Sequence, residues 1–388
     1  MRFPVLVILL TFFVMGFGDM RGSLVGIAKE MFNITSSQGA LIPFFGAAAF
    51  GVFALPAGIL ASRFGKKHLM VLGLLLTAAG HALPSLWLGS YSQLLGAIFL
   101  IGIGMTCLLV AGNPLLRDVT APDRFARDLT FAQFIKSLGS ICGPYLIALI
   151  VARGYAWQGV FPLFALFALA TCLALVPARI PESIPLRPAT LGAIFRLLKD
   201  RTILARILGI FLFVGSEMGL NTWLSVHLWL VHGMSIEVDA IRFGQGLFWA
   251  AQGVGRILGT ILLTWVPARH FLFACALAGL GGLAGLMVGG RIVAVTAVAL
   301  CGMSFANIWP TLFALLLESR PRQATELSGL TVMANAGGAL LPALMGVIAD
   351  RVAVTWCFLV PAATFLYLIV LAGAGLRRSP RLAKSLSR

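Results

Sequence analysis

Runs of about twenty apolar residues recur from one end of the chain to the other, each too long and unbroken to be one face of a helix in water. They cover Phe3–Ile27, Gln38–Ser62, His68–Leu88, Tyr91–Leu115, Leu129–Val151 and Trp157–Val176. Six more cover Ile203–Val226, Phe243–Trp265, Phe271–Gly289, Ile292–Leu317, Leu327–Ile348 and Ala353–Ala374. A hydrocarbon layer about 30 Å thick takes about 20 residues per helical crossing. Twelve crossings with short connections use up the 388 residues. With 60% apolar and 11% charged residues and a mean hydropathy of +0.98, the chain has too little polar surface to cover a soluble body. The expected fold class is an all-α membrane protein of twelve transmembrane helices, with the lipid bilayer as its first partner. A soluble enzyme and a disulfide scaffold are excluded.

The formal charge of +16 would suggest nucleic acid in a soluble protein, so the placement of the bases matters. With an even number of crossings both termini share one side. That side collects 21 of the 29 Lys and Arg, from Arg2, Arg63, Lys66 and Lys67 through Arg187 and Arg196 to Arg377, Arg378, Arg381 and Arg388. The other side holds 5, and 3 lie within spans. Bases collect in cytoplasmic loops, so both termini are expected in the cytoplasm and no nucleic-acid partner is required. The six cysteines all lie in apolar stretches without metal-like spacing, as small buried hydrophobes do. The apolar start is too long for a signal peptide and has no small-residue cleavage site, so it reads as the first span. Asn33-Ile34-Thr35 has the form of a glycosylation acceptor, a triplet too common to carry weight.

Internal repetition divides the chain. Gly18-Asp19-Met20 recurs as Ser216-Glu217-Met218 at an offset of 198, and Asn113-Pro114 as Trp309-Pro310 at 196. Gly139 and Pro144 recur as Gly337 and Pro342, again at 198. Two pseudo-symmetric six-helix bundles follow, residues 1–178 and 203–388, joined by a polar, proline-containing cytoplasmic linker at 179–202. Such repeats characterise secondary transporters, whose substrate site lies between the halves near mid-membrane.

Five ionisable residues fall well inside spans: Asp19, Arg21, Lys136, Glu217 and Arg256. A charge at mid-membrane costs at least about 2.5 kcal/mol, so it faces a partner or a water-filled pathway. Gln245, Trp249, Gln252 and Arg256 follow i, i+4, i+7, i+11 and share one face of span eight. Thr130, Gln133, Lys136 or Ser137, and Ser140 form a second stripe in span five. Glu217 and Asn221 are neighbours in span seven, Ser304 and Asn307 lie in span ten, and Ser328, Thr331 and Asn335 in span eleven. For the neutral members the plainer alternative is hydrogen bonding between helices, worth about 0.6 kcal/mol each. Asp19 and Arg21 diverge by about 200° around a helix, so they serve different surroundings. Asp19 is assigned to the cavity and Arg21 to a structural or gating contact. Burial lets a carboxylate gain and lose a proton near neutrality, which suits proton coupling; Na⁺ coordination is the competing use.

Certain stretches resemble a known family. Gly58-Ile-Leu-Ala-Ser62-Arg63-Phe-Gly65-Lys66-Lys67 resembles the loop signature after span two of the major facilitator superfamily, with Ser62 where an acid is usual. Ala111-Gly-Asn113-Pro114, Ala132-Gln133-Phe-Ile-Lys136-Ser137-Leu-Gly139 and Val214-Gly-Ser-Glu217 resemble the fucose and glucose/galactose symporters within it. So do Gly255-Arg256-Ile-Leu-Gly259-Thr260, Trp309-Pro310-Thr311-Leu-Phe and Pro342-Ala-Leu-Met-Gly346-Val-Ile-Ala-Asp350. The resemblance implies cation-coupled sugar uptake by alternating access. It makes Asp19 the proton-linked acid, Gln133 a sugar contact and Glu217 a second ion-linked acid. Two positions depart from it: Leu108-Leu109-Val110 precedes Asn113-Pro114, and Lys136 stands where the motif has Asn.

The substrate-binding set is therefore Asn113, Gln133, Lys136, Asn221, Gln245, Trp249, Gln252, Arg256, Asn307 and Asn335, with Asp19 and Glu217 for ion coupling. No cofactor is expected beyond H⁺ or Na⁺ as the coupling ion. The chain is expected to act as a monomer in a bacterial inner membrane on a small-molecule substrate. Two intramembrane acids against three bases leave the substrate open between a neutral sugar and an anionic sugar acid or organic acid. Proton-coupled export of a drug or metabolite, and a non-transporting sensor, also remain. There is no nucleophile elbow, zinc-binding His-Glu pair or phosphate-binding loop, so no enzyme or nucleotide-driven pump is expected. Gly279, Gly281, Gly282 and Gly285 read as a close-packing helix face.

Overall fold

The computed structural model describes residues 3–86, 89–120, 125–182, 197–263, 265–320, 327, 330–331 and 333–383. Most of the predicted linker, Ser328 and Arg322 lie outside the described residues, as do the termini at Arg2, Lys384 and Arg388. Every regular element among the described residues is helical. Among the described residues ten stretches are long and apolar enough to cross a membrane. The other two expected spans are helical where they are described. Span eight opens with π-helical turns at Ile236–Ala240 and Arg242–Gly246 before the α-helix Leu247–Leu262. Span eleven turns at Asn335 and Ala336 before the helix Gly337–Arg351. Val52, Leu166, Leu173 and Val370 stand exposed on the helix surfaces, as lipid-facing side chains do in a membrane protein.

Local chemistry explains several boundaries. Asn33, with φ of 49°, ends the helix Arg21–Phe32 in a left-handed turn. Thr35 then starts the next helix through a capping box, its hydroxyl accepting from the Gln38 N–H while the Gln38 side chain accepts from the Thr35 N–H. This accounts for the Asn33-Ile34-Thr35 triplet. Ser90 and Gln93 form the same box at the start of span four.

The chain packs as two compact units, Met1–Arg187 with Asn221–Ala250, and Pro188–Leu220 with Ala251–Arg388. In the first unit, spans one and five approach so closely that a methyl group on Gly139 would collide with the Phe13 carbonyl. Gly16 leaves equally little space beside the Lys136 carbonyl. Phe17 stacks on Phe164 with ring centroids 4.0 Å apart, tying span one to span six. The His81 ring, buried beside this pair, hydrogen-bonds the Thr77 carbonyl at 2.8 Å. In the second unit a methyl group on Gly337 would collide with the Phe211 carbonyl. Phe211 and Gly337 follow Phe13 and Gly139 by 198 residues each, so the repeat read in sequence is also a repeat of backbone packing. Gly279 lies against the Phe365 ring, Gly282 against Cys301 and Gly285 against Ala297, which makes these three a packing face, whereas Gly281 of the same run has open space beside it.

The turn between spans two and three rests on Gly65, whose φ of 92° favours glycine. The Glu182 carboxylate accepts from the next two backbone N–H groups, Lys66 at 2.6 Å and Lys67 at 3.3 Å. An acid from beyond span six thus caps span three, a position favoured by the helix dipole. The Lys66 ammonium pairs with Asp118 of span four, and the Lys67 ammonium donates to the Val176 carbonyl at 2.8 Å. In the second unit Asp200 caps the helix Arg201–His232 through the Thr202 N–H at 2.8 Å and pairs with Arg320 at 2.9 Å.

Replacing Gly139 or Gly337 with Val should sharply lower the thermal unfolding midpoint of the detergent-purified protein, because backbone must move. Ala at Gly51, where nothing lies within 4 Å, should raise stability by up to about 1 kcal/mol. The Thr202 N–H, followed by Arg320, holds the Asp200 carboxyl below its ordinary pKa. Its stabilisation is then complete above the unfolded carboxylate's pKa and is lost as pH falls through the lowered folded value. D200A should cost about 1 kcal/mol at neutral pH, and the deficit should shrink in acid unfolding scans.

Candidate functional site

Span one is a broken helix. Between Phe3–Phe17 and Arg21–Phe32 the chain makes a 3-10 turn at Gly18–Met20, and Asp19 sits in it. A break frees backbone groups that a continuous α-helix would consume. The Asp19 carbonyl here accepts from Asn221 Nδ2 and Gln245 Nε2, both at 3.0 Å. Gln245 Nε2 also donates to Asn221 Oδ1, and Trp249 Nε1 donates to the same oxygen at 2.8 Å. Gly22, one turn on, has no room for a side chain beside the Asn221 carbonyl. Asn221, Gln245 and Trp249 are all buried, so the three form one dry polar cluster in the first unit.

The Asp19 carboxylate faces the other way, toward span five. Its Oδ2 accepts from Ser140 Oγ at 2.6 Å and lies 3.6 Å from Lys136 Nζ. Lys136 and Ser140 are i, i+4 neighbours, so one helix face supplies both groups. The two partners differ in access: the Asp19 side chain is 7% exposed and that of Lys136 is 32%. Arg21 diverges as the sequence indicates. Its Nε donates to the Gly18 carbonyl at 2.6 Å, and its guanidinium lies over Gly46 of span two, where only a glycine leaves space.

Glu217, the repeat mate of Asp19, accepts from Gln252 Nε2 at 2.6 Å in the second unit. Glu217 and Asn221 therefore engage different groups although they are helix neighbours. Asn307, at the break between the helices Arg291–Phe305 and Ile308–Ser319, donates to the Gly255 carbonyl at 2.6 Å, in space left by Gly259. Arg256, Gln133 and Asn335 are half-buried, and the Asn335 carbonyl accepts from the Gly338 N–H at 3.0 Å. Asn113 is half-buried with Oδ1 unpartnered. Ser137, Ser304 and Thr331 each donate to the carbonyl four residues back in their own helix, which satisfies the hydroxyl locally. Ser140, one member of the polar stripe in span five, holds Asp19; its spacing of four from Lys136 is the signal that points to it.

Residues 7–334 match the Major Facilitator Superfamily. The chain belongs to that superfamily. It is a membrane transporter, not an enzyme, and its fold is all-α. It is 27% identical to a putative glucose/galactose transporter of Helicobacter pylori strain J99 over 394 residues, covering 95% of each chain. It is 29% identical to a glucose/galactose transporter of Brucella abortus over 378 residues, covering 92% of this chain and 90% of that one. A crystal structure of the E. coli fucose:proton symporter FucP superposes with a TM-score of 0.67 at 22% identity, over 95% of this chain and 97% of that one.

Removing one partner of a buried pair leaves the other charge uncompensated, at about 3–5 kcal/mol for full burial and less for a half-exposed lysine. D19N and K136Q should each lower the unfolding midpoint. The double variant should recover part of the sum, giving a coupling of about 0.5–3 kcal/mol in a thermal-unfolding cycle. Additive losses would show that the pair is not coupled.

Proposed function

We propose that this transporter takes up a sugar or sugar-like small molecule together with a proton, by alternating access. The two glucose/galactose transporters among its relatives support the substrate class, and the charge pattern of the loops supports cytoplasmic termini. The protein acts as a monomer in the bacterial inner membrane. Gln133, Lys136 and Asn113 contribute substrate contacts in the first unit.

The observation that carries the coupling is the buried Asp19 carboxylate, held by Ser140 and paired with Lys136. Ionised, Asp19 ties the broken turn of span one to span five. A proton on its free carboxylate oxygen removes the negative charge and with it the hold on the Lys136 ammonium. Span one and the substrate group at Lys136 can then rearrange together. A Na⁺ ion would need a shell of several oxygen ligands. Around Asp19 the backbone carbonyl already takes two N–H donors and Oδ2 takes a hydroxyl, which favours a proton, since a proton needs one oxygen.

In proteoliposomes, D19N should abolish accumulation driven by a pH gradient while energy-independent counterflow persists. Retention of pH-driven accumulation by D19N would remove Asp19 from coupling.

A further inference from the structure

We infer that the transported molecule carries a carboxylate, bound by Lys136, and is a sugar acid and not the neutral parent sugar; this rests on the uptake reading above and narrows its substrate. The Lys136 ammonium lies inside a span, paired with Asp19 but not hydrogen-bonded. Its distance of 3.6 Å from Asp19 exceeds hydrogen-bond reach, and no hydrogen bond to Nζ occurs among the described residues. The Asp19 oxygen it approaches is already taken by Ser140 at 2.6 Å. Three N–H donors are therefore uncommitted, on a side chain 32% exposed within a membrane-spanning helix.

Charge balance points the same way. Deep in the spans of the first unit one acid, Asp19, stands against two bases, Arg21 and Lys136. Arg21 has its Nη1 buried over Gly46 and its Nε committed to the Gly18 carbonyl at 2.6 Å. Lys136, its side chain 32% exposed, makes no such hydrogen bond among the described residues. A hydroxyl would engage its N–H groups without neutralising it, whereas a carboxylate does both, and charge-assisted bonds of this kind are about twice as strong as neutral ones. Gln133, three residues earlier on the same helix, is placed for the sugar hydroxyls.

The proton then has a defined part. The substrate carboxylate and Asp19 compete as counter-ions for one ammonium. A proton taken up by Asp19 withdraws it from that competition, and the substrate carboxylate replaces it at Lys136. Release reverses the exchange: the proton leaves Asp19, which reclaims the ammonium as the substrate departs.

Entrance counterflow in proteoliposomes of the full chain tests this with D-glucose against D-glucuronate and D-galactose against D-galactonate. The acids should half-saturate at concentrations about tenfold or more below those of their neutral parents. K136Q should bring that ratio to within about twofold, and K136R, which keeps the charge, should preserve most of it. Neutral sugars exchanging as well as or better than their acids would overturn the inference and leave the uptake reading standing. A tenfold preference surviving in K136Q would remove Lys136 as the reader. Exchange of neither class would overturn the inference and the sugar-uptake reading together. Should K136Q fail to fold, the wild-type ratio alone still decides between acid and neutral parent.

Discussion

A charge placed among apolar helices must be met by protein groups, because no bulk water is at hand to solvate it. Asp19 imposes that requirement on the first unit. Its carboxylate draws Ser140 and Lys136 from span five, and its carbonyl draws Asn221 and Gln245 from spans seven and eight. One residue at a helix break thus gathers four polar side chains from three other spans. The acid is satisfied, and the lysine beside it is left with spare donors.

The helix breaks and the glycines serve this arrangement together. A continuous first span would have spent the Asp19 carbonyl on its own backbone bonding; the 3-10 turn at Gly18–Met20 releases it. Gly16, Gly139 and Gly22 let neighbouring backbones approach until carbonyl oxygens lie where a side chain would start. Without an aqueous phase to drive helices together, close van der Waals packing over small residues is the main source of cohesion. Phe13 against Gly139 and Phe211 against Gly337 show the same solution used twice.

At the other end of the first unit, polar groups meet under different rules. The carboxylate of Glu182 occupies the helix start left by the Gly65 turn, and Lys66 pairs with Asp118. The departure there is Ser62, where the resembled loop signature has an acid. Glu182, far away in sequence, brings a carboxylate to the same turn. No local pattern could have announced it, since the pairing spans 116 positions.

The apolar runs determined by themselves that this chain is an all-α membrane protein, because hydrocarbon tolerates only spans whose backbone bonding is internal. The 198-residue repeat likewise related Gly139 to Gly337, and the i, i+4 spacing of Lys136 and Ser140 put two groups on one face. Which groups meet was decided only in three dimensions. Asn221 and Glu217 are one helical turn apart yet engage Asp19 and Gln252 respectively, and Asn307 turned out to hold the Gly255 backbone. Helical periodicity reports the direction of a side chain about its own axis. It does not report which neighbouring helix stands there, or how closely, and those distances decide whether an intramembrane charge is satisfied or still available to a ligand.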